Sequence, residues 1–337
     1  MGTVIPLKKE INNSYLELKN LVGGKLDKVS QLIKYKLSSK ITLIHKMTNH
    51  HLNSGGKRIR PLLTLAAAKL CGYTHGDRDI NLAACIELIH SATLLHDDVI
   101  DNSDLRRGAK TSNSIWGNQS SILVGDYLLS RCFEMMVDDG SPEILKLLSS
   151  TSSIIAQGEV LQLEHKGEID LLEENYFNII NMKTAALFSA ATRVGACITN
   201  RSKKEKDALD SYGKNLGLAF QIADDALDYH STQKIFGKEI GKDFFEGKAT
   251  MPLVIIFQKA NNEERIFLKE IFKKEKRNEE DFSETLTLIN KYSAVKESLK
   301  RAEYFVNISN GALGIFEDSK EKKILQNLTE FSLNRSF

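Results

Sequence analysis

Apolar residues recur every three or four positions along almost the whole chain, and the alternating apolar and polar runs that mark strands are nearly absent. This spacing predicts helices. Residues 13–50 read as two amphipathic helices, and "GGKRIRP" at 55–61 as a loop closing on a helix, with Pro61 near its first turn. "LLTLAAAKLCG" reads as a buried helix stopped by Gly72. A helix from Ile80 to Asp101 is apolar on nearly every side between Leu82 and Leu95, with Ala83, Ala84, Ser91 and Ala92 small enough for close packing. Such a helix belongs in the middle of a bundle. Further helices are expected at 116–138, 142–165, 171–198, 203–229, 251–274, 279–290 and 294–332. The one long glycine-rich interruption is "KIFGKEIGKDFFEGKATMP" at 234–252, and loops of that length are often functional. With no linker and no repeat of fixed period, residues 1–337 are expected to form a single all-α domain.

Composition supports long helices: four prolines stand where usage of ~5% would give roughly seventeen. Lys and Arg total 46 against 44 Asp and Glu, a net charge of +2. That balance supplies no field for nucleic acid, so any charge that matters is local. Cys71, Cys85, Cys132 and Cys197 are widely spaced in apolar contexts and read as reduced core residues of a cytoplasmic protein. No apolar run approaches the ~18 residues of a membrane span, so the chain is expected to be soluble, without stable membrane insertion.

Local charge is concentrated in two places. Asp97, Asp98 and Asp101 form DDxxD, and Asp224, Asp225 and Asp228 repeat it. With 19 aspartates in 337 residues, one such pattern arises by chance about 0.06 times, so two are not an accident of composition. Residues four apart share a helix face, where like charges repel unless a cation compensates. Clustered carboxylate oxygens suit hard cations, and Mg²⁺ in particular is shared between one or two carboxylates, water and phosphate. A single DDxxD could be a solvated helix end; two of them, accompanied by unusual basic groups, point to a clamp on a diphosphate. Those groups are Lys57, Arg58 and Arg60 after two glycines, Arg106 and Arg107 after the first acidic motif, Lys183 in an apolar helix, and Lys238, Lys242 and Lys248 in the glycine-rich loop. Together they are enough for more than one diphosphate.

In this order the motifs "GGKRIRP", "IHSATLLHDDVIDNSDLRRG", "QGEVLQL", "KTAALF", "FQIADDALDY" and "GKDFFEGKATMPL" resemble those of the trans-prenyl diphosphate synthases, from about residue 50 to 255. The resemblance implies an isoprenoid-synthase bundle with a central cavity, and elongation of an allylic diphosphate, such as farnesyl diphosphate, by isopentenyl diphosphate. It implies that Asp97, Asp101 and Asp224 hold Mg²⁺, three ions with substrate bound, with Asp98, Asp225 and Asp228 beside them. Arg106, Lys183 and Lys238 would contact the allylic diphosphate; Lys57, Arg60, His90 and Arg107 would bind isopentenyl diphosphate. Thr184 and Gln221 would face the developing allylic cation, while Asp243 and Lys248 match the family's later loop. A homodimer and transient membrane contact are further implications.

Product length turns on the residues just before the first acidic motif. Short-chain members of the family block the tail channel four or five positions before it with Phe or Tyr, whereas here those positions hold Thr93 and Ala92, with Ile89 one turn further down. This open gate predicts a long product near forty carbons, an octaprenyl diphosphate for a quinone side chain; thirty to fifty carbons, or the twenty of a geranylgeranyl synthase, are the alternatives. Phe133 and Met136 are candidate floor residues, and Ala92→Phe is expected to shorten the product. Three other readings compete. A terpene cyclase would carry a different second metal motif, a noncatalytic subunit would lack aspartates or paired arginines, and a di-iron bundle built on Glu87 and His90 would need a second ExxH. His96 is expected to be a core histidine.

Overall fold

The structure, a computed structural model, describes residues 7–229 and 240–333. Its helices are α1 (Leu7–Val22), α2 (Lys25–Lys36), α3 (Thr42–Asn53), α4 (Ile59–Leu70), α5 (Arg78–Ile100), α6 (Ser112–Trp116), α7 (Asn118–Asp139), α8 (Pro142–Glu164), α9 (Glu173–Ile180), α10 (Ala186–Ile198), α11 (Lys203–Leu227), α12 (Lys242–Glu246), α13 (Met251–Lys259), α14 (Asn262–Lys273), α15 (Glu279–Lys291), α16 (Ala294–Ala312) and α17 (Lys320–Leu333). A π turn, Asn181–Ala185, joins α9 to α10. Two-residue strands, β1 (Leu105–Arg106) and β2 (Ala109–Lys110), pair antiparallel. The all-α expectation holds, with this one small hairpin added.

Several expected helices are divided. Residues 13–50 fall in three helices rather than two: the Gly23–Gly24 pair interrupts the first, and Leu37–Ile41 separates the second from the third. The stretch 251–274 splits where Asn261 and Glu264 form a reciprocal capping box that starts α14 afresh. Residues 294–332 are broken at Leu313–Ile315, a single 3₁₀ turn.

Burial explains the arrangement around the site. As its composition requires, α5 is buried on nearly every side from Ile80 to Leu95. Two apolar clusters form the core, and α11 serves both: Leu209, Tyr212 and Leu216 pack in one, Leu218, Ala219 and Ile222 in the other. The ends of these two helices carry the acidic motifs, with Asp101 the C-terminal cap of α5 and Asp228 that of α11. The C-terminal end of a helix already bears partial negative charge. Carboxylates gathered there raise the demand for cations at both places. Among the described residues, no helix is long and apolar enough to cross a membrane, and the four cysteines are free and buried.

Candidate active site

A cavity of about 610 Å³ brings the two acidic motifs together. Asp97 and Asp98 line it from α5, Asp224 and Gln221 from α11, and Lys183 and Thr184 from the π turn. A π turn adds a residue to the helical circuit, and such bulges recur at functional sites because they re-aim side chains. Asp101, Asp225 and Asp228 lie behind this lining.

The aspartates divide by environment. Asp98 is 2% exposed, and its Oδ1 accepts from Arg106 Nε and Nη2 at 2.8 Å, so Arg106 is tied to the first motif. Asp225 is 3% exposed and accepts from the Tyr176 hydroxyl at 2.6 Å and from Gln221 Nε2 at 2.8 Å. Burial, with Asp243 and Asp224 nearby, pushes its carboxyl well up from the usual range against those two bonds. Gln221 Oε1 in turn accepts from Thr184 Oγ1 at 2.8 Å. The Gln221 amide is therefore engaged at both ends, by Thr184 and by Asp225. Asp228 Oδ2 accepts from the Asp243 backbone N–H at 2.9 Å. Asp101 accepts from Lys248 at 2.8 Å, and Lys248 also pairs with Glu246 at 2.7 Å. These contacts fasten the segment around α12 to the ends of both α5 and α11.

Asp97 is the exception. Its Oδ1 is buried with no hydrogen-bond partner. Burial, Glu159 and Asp101 push its carboxyl well up, although Lys183 and Arg106 oppose them. An unmatched buried carboxylate oxygen, crowded by Glu159 and Asp101, is where a cation belongs. Among the described residues no three carboxylate, imidazole or thiol groups stand close enough to chelate a metal by themselves. A donor set of this kind fits Mg²⁺, which takes the rest of its shell from water and phosphate oxygens.

Lys183 is held rather than loose: its Nζ lies 2.7 Å from Glu159 Oε1 and donates to Gln162 Oε1 at 2.9 Å. Both partners stand in "QGEVLQL", a motif visible in the sequence whose role there was not; an acid three residues before a glutamine, opposite a buried lysine, was the available signal. Gly158 in that motif lets α8 approach the π turn, since a Cβ there would stand 2.8 Å from the Lys183 backbone nitrogen and 2.8 Å from Met182 Cβ. Gly158→Ala is expected to cost about 1–3 kcal/mol by overpacking, seen as a lower denaturant midpoint, and to reduce kcat by displacing Lys183.

The cavity is also lined by basic groups, Lys57, Arg60, His90 and Arg107 among them. The β1–β2 hairpin, which the periodicity did not reveal, aims Arg107: this residue and Gly108 make the turn at φ 55° and 78°. Its guanidinium donates to the Gly55 carbonyl, and any side chain at Gly56 would run into it. Arg60 stacks on Phe188, 4.5 Å from guanidinium carbon to ring centre. Its Nη1 lies 3.1 Å from His90 Nε2. Burial and the Arg60 charge push His90 well below its usual pKa, which suits it to accept a hydrogen bond from Arg60 as a neutral imidazole. His96 is half-buried rather than the core histidine expected: its Nε2 lies 3.2 Å from the Ile122 carbonyl and 3.5 Å from Asp126 Oδ1, because the last turns of α5 emerge from the core. Lys238 falls outside the described residues.

Of the three residues expected to set product length, Thr93 lines the cavity, while Ala92 and Ile89 are fully buried and do not. Successive residues on a helix point ~100° apart, so neighbours in sequence face different walls. Phe133 is 43% exposed on α7 and Met136 is buried, and neither lines this cavity.

This all-α bundle, with residues of both acidic helix ends and several basic side chains lining one cavity, has the fold of an isoprenoid synthase. The polyprenyl synthetase family model matches residues 41–289. Octaprenyl diphosphate synthase of Haemophilus influenzae is 34% identical over 331 residues, covering 98% of this chain and all of that protein. Geranylgeranyl diphosphate synthase of Sulfolobus acidocaldarius is 30% identical over 318 residues, covering 92% of this chain and 96% of that protein. The crystal structure of a polyprenyl synthase from Caulobacter crescentus, complexed with calcium and isoprenyl diphosphate, superposes with a TM-score of 0.91 at 40% identity, covering 96% of this chain and 98% of that one. The chain belongs to the polyprenyl synthetase family and is a prenyl-transferring enzyme.

Proposed function

We propose that the enzyme elongates an allylic diphosphate with isopentenyl diphosphate to a long all-trans polyprenyl diphosphate, near forty carbons, the length of a quinone side chain. One observation carries this reading: Asp97 of α5 and Asp224 of α11 line the same cavity as Lys57, Arg60, His90 and Arg107. Asp97, Asp101 and Asp224 hold Mg²⁺, three ions with substrate bound, supported by Asp98, Asp225 and Asp228. Bound Mg²⁺ supplies positive charge that stabilises departing pyrophosphate more than the intact ester, which favours ionisation.

The chain's own groups do the rest. Lys183, steadied by Glu159 and Gln162, and Arg106, steadied by Asp98, meet the allylic diphosphate. Thr184 turns its lone pairs toward the allylic cation. Lys57, Arg60, His90 and Arg107 hold isopentenyl diphosphate so that its double bond stands beside that cation, which makes the attack effectively unimolecular. The released pyrophosphate takes the proton, and the product is five carbons longer. Residues 1–337 act as one catalytic domain, with α11 shared between both halves of the core.

The enzyme works as a homodimer in the cytoplasm, touching a membrane only to release its lipid product. Leu123, Phe133 and Val137 are exposed on α7 by 67%, 43% and 64%, an apolar face that a second copy would cover. Sedimentation equilibrium is expected to give twice 37.8 kDa, and Leu123→Glu with Phe133→Glu to give the monomer. The functional test incubates the purified chain with farnesyl diphosphate, labelled isopentenyl diphosphate and Mg²⁺, then sizes the lipids. A product near forty carbons is expected; one of twenty would replace the long-chain assignment, and no incorporation would overturn the activity.

A further inference from the structure

Glu87 is an acid inside a pocket for anions. It lies one helical turn before His90 on α5 and lines the cavity beside Arg58, Arg60, His90 and Arg107. The residue is half-buried, and its Oε2 is buried with no hydrogen-bond partner. Burial pushes the carboxyl up from its usual range, and the charges of Arg58, Arg60 and Arg107 oppose that shift. A carboxylate here weakens the attraction of the pocket for a diphosphate, so direct binding does not account for it. Its neighbours do. Arg58 also lines the cavity, but its guanidinium is already held, donating to Ser30 Oγ and, at 3.4 Å, to the Leu52 carbonyl. Arg60, half-buried, and Arg107, exposed, line the same cavity, where their like charges repel one another.

We infer that Glu87 is a positioning residue, the fixed counter-charge that keeps Arg60 and Arg107 converged on the isopentenyl pocket while that pocket is empty. The inference rests on the assignment of that pocket to isopentenyl diphosphate.

The two ideas separate in one assay. Turnover of isopentenyl diphosphate by the unaltered enzyme tests the pocket, and a KM split in Glu87→Gln tests the counter-charge. Removing a negative charge from a plain anion pocket would lower KM for isopentenyl diphosphate. Loss of a positioning group instead raises it, by about tenfold or more, with KM for the allylic substrate within about twofold of the parent. Glu87→Asp keeps the charge and is expected to recover most of the loss. A lowered or unchanged KM, an equal rise for both substrates, or no recovery in the aspartate variant would overturn the inference. Thermal melts of both variants accompany the kinetics, and a variant that fails to fold assigns Glu87 to packing and likewise overturns it.

Discussion

Asp97→Asn is expected to lower kcat by about 10³-fold, the scale of losing one preorganised charge-stabilising group, while the folded chain stays as stable or gains stability. Both halves follow from the same surroundings. The Asp97 carboxyl is buried, its Oδ1 has no hydrogen-bond partner, and Glu159 and Asp101 crowd it with like charge. It also sits in the last turn of α5, at the negative end of the helix. A neutral amide of the same shape relieves that conflict, and the cation site loses an anionic ligand with it. Strain of this kind is kept at functional sites because activity needs it. The check is steady-state kinetics with farnesyl diphosphate over a range of Mg²⁺, beside a thermal melt of the metal-free protein. Asp224→Asn is expected to show the same loss of rate. The double variant should lose less than the product of the two, because groups that act as one unit are not additive. Full activity in either single variant would remove that aspartate from the metal site.

Thr93→Phe is expected to shorten the product from near forty carbons to fifteen or twenty. Thr93 lines the cavity four residues, about one helical turn of ~5.4 Å, before Asp97, so an aromatic ring there fills the space the first added isoprene unit enters. Ala92→Phe is expected to have the smaller effect on length and the larger one on stability. Ala92 is fully buried in the core, where added volume costs about 1–3 kcal/mol. Chromatography of the dephosphorylated products reads the length directly. Unchanged products from Thr93→Phe would refute the gate.

Much of this was legible because helical proteins write their burial into apolar spacing. The all-round apolar stretch from Leu82 to Leu95 placed α5 at the centre of the bundle, and two DDxxD triplets stood out because acids rarely gather at the end of so apolar a segment. The sequence could not show which wall each side chain faces. Thr93 and Ala92 are adjacent, yet the rotation between them puts one in the cavity and the other in the core. Breaks inside long periodic stretches were also hidden, because Asn261 and Glu264 restart a helix without changing the apolar pattern. The hairpin that carries Arg107 is too short to have a period. The partners of charged residues were the least visible part: Glu159 with Lys183 and Lys248 with Asp101 lie 24 and 147 residues apart in the chain.

The most direct measurement is a crystal structure of the enzyme with Mn²⁺ and an unreactive thio analogue of farnesyl diphosphate, in which anomalous scattering locates each metal ion. Metal bonded to Asp97 from one side and to Asp224 from the other, around a single diphosphate, is the result expected. Metal at only one of these aspartates, or a diphosphate seated away from both, would contradict the account.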